Sequence, residues 1–461
     1  MTDLILVLGY IAVLAVIGFL KRYKGDGEEA DYLLSGRKLT LPAFIATLVS
    51  TWYGGILGVG EYTYQFGISQ WFLFGLPYYI FALLFAFFLA EKIRENPALS
   101  IPEAVSTTYG KRAGQMTSAG VFLLVNPAPY ILMVAALLSY MFGAVDQMLL
   151  WAVLVAVFSA LYVGFGGFGA VVRTDIIQIV LMYAGFGILL GSAIYHLGSP
   201  VSLLSKLSDI QLDPLGGQHW QYALVWFFIA LWTFVDPGFH QRAAAAKDTK
   251  TARNGILYSI LFWGLFDFMS LFTALYASVA LPDLTDPMLS YPALSDHLLG
   301  PGWNGLFMVA LLATIMSTLD SFLFLAGQTL GRDLLKPIFP HISGIRLTQY
   351  GIGASVVLAV GLVYLFPSVV QLWYVIGSSV IPALLIPILG VYLSPFAMSQ
   401  RAVLHYIPAT FLTCCIWIGL GYWSDPESYS FAFWGIEPFY PGLFIGLGIG
   451  GWDKMKTVSR D

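Results

Sequence analysis

Apolar runs of about 17 to 25 residues, set apart by short polar breaks, recur along the whole chain, and that length is what a helix needs to cross hydrocarbon. A bilayer offers backbone groups no water, so only helices and closed barrels can span it. Barrel strands would read as alternating segments of about ten residues. The continuous runs here predict an all-α membrane protein. Composition agrees: 58% of residues are hydrophobic, 10% are charged and the mean hydropathy is +0.78, more apolar surface than a water-soluble core can hide.

The breaks delimit about 13 transmembrane helices, at roughly 3–20, 40–67, 71–91, 116–143, 149–168, 173–197, 219–239, 255–281, 303–330, 346–366, 369–394, 404–422 and 435–452. Basic residues give them a direction, because Lys and Arg gather in cytoplasmic loops. With the N-terminus outside, the inner segments collect those at 21–24, 37–38, 92–94, 111–112, 242–253, 332–346 and 454–460, with Arg173 and Arg401. Of the 22 Lys and Arg, only Lys206 falls outside. One span missed or invented in the middle would scramble that separation. It predicts a multi-pass cell-membrane protein with a cytoplasmic C-terminus.

Several function classes drop out. A net charge of −4, with no basic stripe, argues against nucleic acid. Cys414 and Cys415 are adjacent in an apolar run and point to different faces of a helix, so packing is expected there rather than a disulfide. The six histidines are scattered, with no nucleophile and base or metal-ligand spacing, which disfavours an enzyme. The first 24 residues carry Asp3, an apolar run, then Lys21, Arg22 and Lys24, with no Ala-x-Ala site. This reads as an uncleaved first span rather than a signal peptide. About nine residues follow the last span, so no fused soluble domain and no obligate protein partner are expected.

Many transporters pair two inverted five-helix repeats, each opening with a broken helix. Setting aside 3–20 as an extra helix, residues 40–197 and 219–394 form two sets of five, followed by two helices over 404–452. The first helix of each set is interrupted. One has Gly54, Gly55, Gly58 and Gly60 after Ser50-Thr51-Trp52-Tyr53; the other has Asp236-Pro237-Gly238 inside an aromatic run. Pro removes a backbone donor and Gly loosens the helix, which frees carbonyls for a cation. Glycines also mark close helix contacts.

Charged groups inside spans are costly, and five carboxylates need an account: Glu61, Asp175, Asp236, Asp267 and Asp320. Glu61 lies toward the outer end of its span, at the interface or against solute. Asp175 follows Arg173 near an inner boundary, where it caps a helix start or does more. Asp267 reads as a hydrogen-bonding group within the bundle. Asp320 lies deep in its span among Thr314, Ser317, Thr318 and Ser321, whose spacing puts the four hydroxyls on one helix face. An isolated hydroxyl often just bonds the carbonyl one turn back. Four on one face suit a hard cation that takes oxygen ligands in a dry site.

Four stretches, in order at these spans, resemble the sodium:solute symporter family of sodium/proline, sodium/sugar and sodium/sialic acid transporters. They are DYLLSGRKLTLPAF from Asp31, VVRTDIIQ from Val171, DPGFHQRAAAAKD from Asp236 and ATIMSTLDS from Ala313. The likeness covers about residues 30–395. It implies the inverted-repeat fold of the amino-acid transporter LeuT, with one helix before the repeats, and sodium-coupled symport of a small organic solute by alternating access. Na+ would be the coupling ion, one or two per cycle, with no organic cofactor.

By position, the resemblance puts the main sodium site on the carbonyls of Ser50 and Tyr53, the carbonyl of Thr314 and the hydroxyls of Ser317 and Thr318. A second site, present in some members, maps to Asp175, Ser317, Asp320 and Ser321. The solute pocket maps near Tyr53, Gly60, Thr233, Asp236 and Pro237. Ile56 and Leu57 stand where sugar-transporting members carry an acidic residue and a glutamine, which argues against a sugar. Asp236 stands where relatives often have an amide. It either meets an amine-bearing solute or caps the half-helix begun by Pro237. Two other readings remain open: proton coupling through Asp175 and Asp320, and a transporter-like sensor acting through a partner protein.

Overall fold

A computed structural model describes residues 2–19, 29–143, 147–365, 369–425 and 431–458. Lys21, Arg22, Lys24 and Arg460, four of the residues that set the expected orientation, lie outside these segments. Among the described residues the chain is helical, with two isolated β-bridges and no strand. The principal helices are α1 (Thr2–Phe19), α2 (Leu41–Phe66), α3 (Trp71–Phe88), α4 (Lys111–Phe142), α5 (Met148–Leu197), α6 (Trp220–Ala245), α7 (Thr249–Ala280), α8 (Trp303–Leu335), α9 (Gly344–Leu365), α10 (Val369–Tyr392), α11 (Gln400–Ser424) and α12 (Phe439–Val458).

Among the described residues ten helices, α2 to α11, are long and apolar enough to cross a membrane. The expected spans at 149–168 and 173–197 fall on α5, two helices that meet without a loop at Gly167, where the backbone is non-helical (φ 62°, ψ −167°). The apolar part of α1 is the shorter Ile5–Phe19, and α12 ends on the charged Asp453, Lys454 and Lys456. Large apolar side chains such as Phe87, Leu154, Leu161, Val180, Leu261 and Phe444 point outward, as a lipid-facing surface requires.

The kink in α5 has a visible cause. A side chain at Gly167 would collide with Tyr32, whose ring lies 2.5 Å from the position a Cβ would take. Tyr32 donates its hydroxyl to the carbonyl of Gly164 at 2.8 Å, and Gln349 donates to the same oxygen at 3.0 Å. Inserted donors thus satisfy the backbone that the kink releases.

Tyr32 belongs to a short helix, Glu29–Leu34, at the head of a strap across the charged end of the bundle. Leu39 bridges the end of α6, its amide donating to Ala245 and its carbonyl accepting from Lys247, both at 3.0 Å. Arg37 caps the carbonyls of Asn96 and Pro97 at 3.0 and 2.8 Å. Arg332, at the end of α8, joins Glu29 at 2.6 Å and Glu103 at 3.0 Å. The strap therefore ties the inner half of α6 to the end of α8.

α8 is the axis of the molecule. Every residue from Phe307 to Gly327 is buried, by α5, α1, α9, the second half of α4 and the middle of α2. A helix that carries Asp320 and a row of hydroxyls keeps them away from lipid in such a central place.

Candidate cation and solute site

α2 is broken where the glycines begin. Leu41–Trp52 ends, one 3-10 turn over Tyr53–Gly55 follows, and Ile56–Phe66 resumes the helix. Gly58 and Gly60 lie within the second half. α6 breaks at Asp236, whose extended backbone (φ −69°, ψ 115°) separates Trp232–Val235 from Pro237–Ala245.

α8 lays its hydroxyl face on the first break. The Ser317 hydroxyl donates to the Ser50 carbonyl at 2.6 Å, with the Thr314 carbonyl at 3.2 Å, and Thr318 Oγ1 donates to the Thr51 carbonyl at 2.5 Å. Thr314 turns its own hydroxyl to Ala310 at 2.7 Å, so its carbonyl is what it offers. Ser50, Thr314, Ser317 and Thr318 are all fully or almost fully buried. Tyr53 holds the turn, its amide bonded to the Ser50 carbonyl and its carbonyl to the Ile56 amide. The donor set is carbonyl and hydroxyl oxygen with no nitrogen or sulfur, which fits a hard alkali cation rather than a transition metal.

Gly54 permits this approach, since a Cβ there would lie 2.2 Å from Thr318 Oγ1. Gly54→Ala is therefore expected to push α8 off the break at an overpacking cost of about 1–3 kcal/mol. Purified protein would show it as a weakened sodium-dependent rise in melting temperature.

The residues assigned to a second sodium meet a different cation. Arg242, counted from sequence among inner-loop charges, is fully buried in the inner half of α6. Its Nη2 donates to Thr47, Thr51 and Ser321 at 3.0, 2.7 and 2.8 Å, and lies 3.8 Å from Asp175 Oδ2. Thr47 also donates to that carboxylate. Asp320 turns Oδ2 to the Tyr162 hydroxyl, and Ser317 faces Ser50. Asp175 and Ser321 are thus brought together around Arg242, while Asp320 stands to one side. The buried Oδ1 atoms of Asp175 and Asp320 each lack a hydrogen-bond partner.

Between the two breaks lies a cavity of about 140 Å3 lined by Trp52, Tyr53, Gly55, Tyr78, Tyr130, Trp226, Trp232, Asp236, Phe239, Asp267, Phe322 and Trp373, among others. Of the expected pocket residues, Tyr53 and Asp236 line it. Gly60 packs under Tyr291, Thr233 is buried away from the lining, and Pro237 faces a smaller cavity with His240 and Gln241. Asp236 does cap the inner half-helix: Oδ1 accepts from the amides of Gly238 at 2.6 Å and Phe239 at 3.0 Å. It faces the cavity as well. Asp267 bonds the Tyr79 hydroxyl, as a group within the bundle would, yet also reaches the lining. Asp175 sits about two turns past the kink at Gly167, inside the second half of α5, so it caps no helix start.

Sequence reasoning missed Arg242, Thr47, Thr51 and Tyr162. Arg242 left a signal: it lies only six residues after the break at Asp236, closer than a surface loop would need.

A bundle of apolar helices in which two broken helices face an oxygen-lined candidate site defines a multi-pass membrane transporter of the LeuT-type fold. Residues 32–389 match the sodium:solute symporter family, and the chain belongs to it. Among its relatives, the sodium/pantothenate symporter of Haemophilus influenzae is 28% identical over 356 residues, 73% of this chain and 72% of that protein. The human sodium-coupled monocarboxylate transporter 1 is 24% identical over 456 residues, 91% and 73% of the two chains. Among solved structures, a Na+-coupled sialic acid symporter in a substrate-bound outward-open state superposes with TM-score 0.74 at 13% identity, covering 99% of this chain and 97% of that one. The nucleobase-cation-symport-1 transporter Mhp1, closed around bromovinylhydantoin, gives 0.63 at 14% identity, covering 92% and 94%. These are transporters, not enzymes.

Proposed function

We propose that this protein couples the inward flow of sodium to import of a small organic solute by alternating access. The observation that carries the reading is the contact of Ser317 and Thr318 with the carbonyls of Ser50 and Thr51 at the break of α2. A sodium ion held by Ser50, Tyr53, Thr314, Ser317 and Thr318 would draw α8 onto the same turn that supplies Trp52 and Tyr53 to the cavity. Ion binding would thereby preorganise the solute site. The orphaned oxygens of Asp175 and Asp320 support a second ion near Ser317 and Ser321, since buried acceptors without partners call for a water or an ion.

The distribution of basic residues supports an N-terminus outside and a C-terminus in the cytoplasm. Release then follows at the low-sodium face. Relatives named for pantothenate, monocarboxylate, choline and myo-inositol transport differ too much in charge for the family alone to set the solute.

Reconstituted in liposomes, the protein is expected to accumulate solute only under an inward sodium gradient. Uptake driven by a pH gradient without sodium would move the coupling to Asp175 and Asp320, and sodium-dependent binding without uptake would favour a sensor.

A further inference from the structure

Acidic groups outnumber basic ones around the two breaks. Asp175, Asp236, Asp267 and Asp320 are buried there, and Arg242 is the fully buried arginine among the described residues. Arg242 lines the main cavity, but its guanidinium already donates to three hydroxyls and the Gly238 carbonyl and lies 3.8 Å from Asp175. An ionised carboxylate left uncompensated in this medium is expensive. Sodium and a cationic solute would each offset such charge; an anionic solute would add to it.

The walls of the cavity agree. Trp52, Tyr78, Tyr130, Trp232, Phe239 and Trp373 line it, with Asp236 and Asp267 as its acidic groups and Arg242 as its basic one. Ring faces carry negative potential and attract ammonium groups held against them. At about 140 Å3 the space matches cavities of roughly 150 Å3 that admit benzene. The solute it takes is correspondingly small.

A second cavity, of about 120 Å3, repeats this chemistry nearer the end of α2. Glu61, Tyr62, Gln65, Phe66, Gln218 and Tyr222 line it with no Lys or Arg, and it shares Val370 with the main cavity.

We propose that the solute is a small organic cation bearing an ammonium group, held in the aromatic cavity beside Asp236 and Asp267, and that the Glu61 cavity is a staging site on its way in. This rests on the sodium-coupled reading above and deepens it.

Three probes of one shape separate the charges: tetramethylammonium, uncharged tert-butanol and anionic pivalate. In sodium, tetramethylammonium is expected to raise the melting temperature of the purified protein and the other two to leave it unchanged. Asp236→Asn keeps a good helix cap and should lose that rise; a full rise in this variant overturns the role of Asp236. Glu61→Gln should slow initial ammonium uptake by about tenfold at low salt, the low end of electrostatic steering, with the difference shrinking at high salt. An unchanged rate overturns the staging site.

No rise with tetramethylammonium, or sodium-driven uptake of an anion or sugar that ammonium ions do not compete with, overturns the substrate class and leaves sodium coupling standing. An ammonium response equal in potassium and sodium removes sodium coupling instead.

Discussion

Ser317→Ala is expected to weaken the apparent affinity for sodium by roughly ten- to a hundredfold, while solute transport at saturating sodium falls less. The hydroxyl lies 2.6 Å from the Ser50 carbonyl and 3.2 Å from the Thr314 carbonyl, and its side chain is fully buried. A hydrogen-bonding contact to a charged group contributes about 1.5–3 kcal/mol, and each 1.4 kcal/mol is a factor of ten. Sodium titration of uptake, or of the melting temperature, reads the shift directly.

Ser355 supplies the control. It too is buried, but its hydroxyl only bonds the Gly351 carbonyl one turn back, at 2.7 Å. Ser355→Ala should leave the sodium dependence where it was. Equal shifts in the two variants, or none in Ser317→Ala, would remove Ser317 from the cation site.

The largest effect on stability is expected from separating Arg242 and Asp175. Both side chains are fully buried, 3.8 Å apart. Breaking a buried pair by removing one partner typically costs about 3–5 kcal/mol, because the other charge is left without compensation. Arg242→Met should therefore unfold at a much lower temperature, and Asp175→Asn added to it should recover a large part of the loss. The hydrogen bonds from Arg242 to Thr47, Thr51 and Ser321 would not return, so recovery stays incomplete. Losses that simply add in the double variant would show that the two groups are not coupled.

The two substitutions probe two neighbouring contacts on the same half of α2. Ser317 joins α8 to Ser50, whereas Arg242 joins the inner half of α6 to α2, α5 and α8 through Thr47, Thr51, Asp175 and Ser321. A change in either should alter how firmly the broken helices are held against the axis.

Much of this was legible in the amino-acid sequence. Apolar runs of bilayer length dictate helices because no other local structure satisfies the backbone in hydrocarbon. Pro237 after Asp236 marks one break, and the glycines after Tyr53 mark the other. The spacing of Thr314, Ser317, Thr318 and Ser321 places them on one face, and α8 does present that face to α2 and α6. These are local properties, set by period and backbone chemistry.

Other features depend on which helices become neighbours. Nothing near Gly167 in the chain foretells Tyr32, whose ring enters the kink from a distant segment. Asp236 could be read as a cap or as a cavity residue, and it is both, because the aromatic walls that make the cavity come from several helices. Arg242 looked like one more inner charge until the helices closed around it and set it beside Asp175.

By itself the sequence determined the class, the helices, the two breaks and the oxygen-bearing face, since each follows from residues within a few turns of one another. Only the tertiary structure decided which carbonyls meet Ser317 and Thr318, where the guanidinium lies, and that the cavity between the breaks is aromatic and acidic. Those depend on long-range packing, where a charge or a hydroxyl acquires its role from partners that its own segment does not specify.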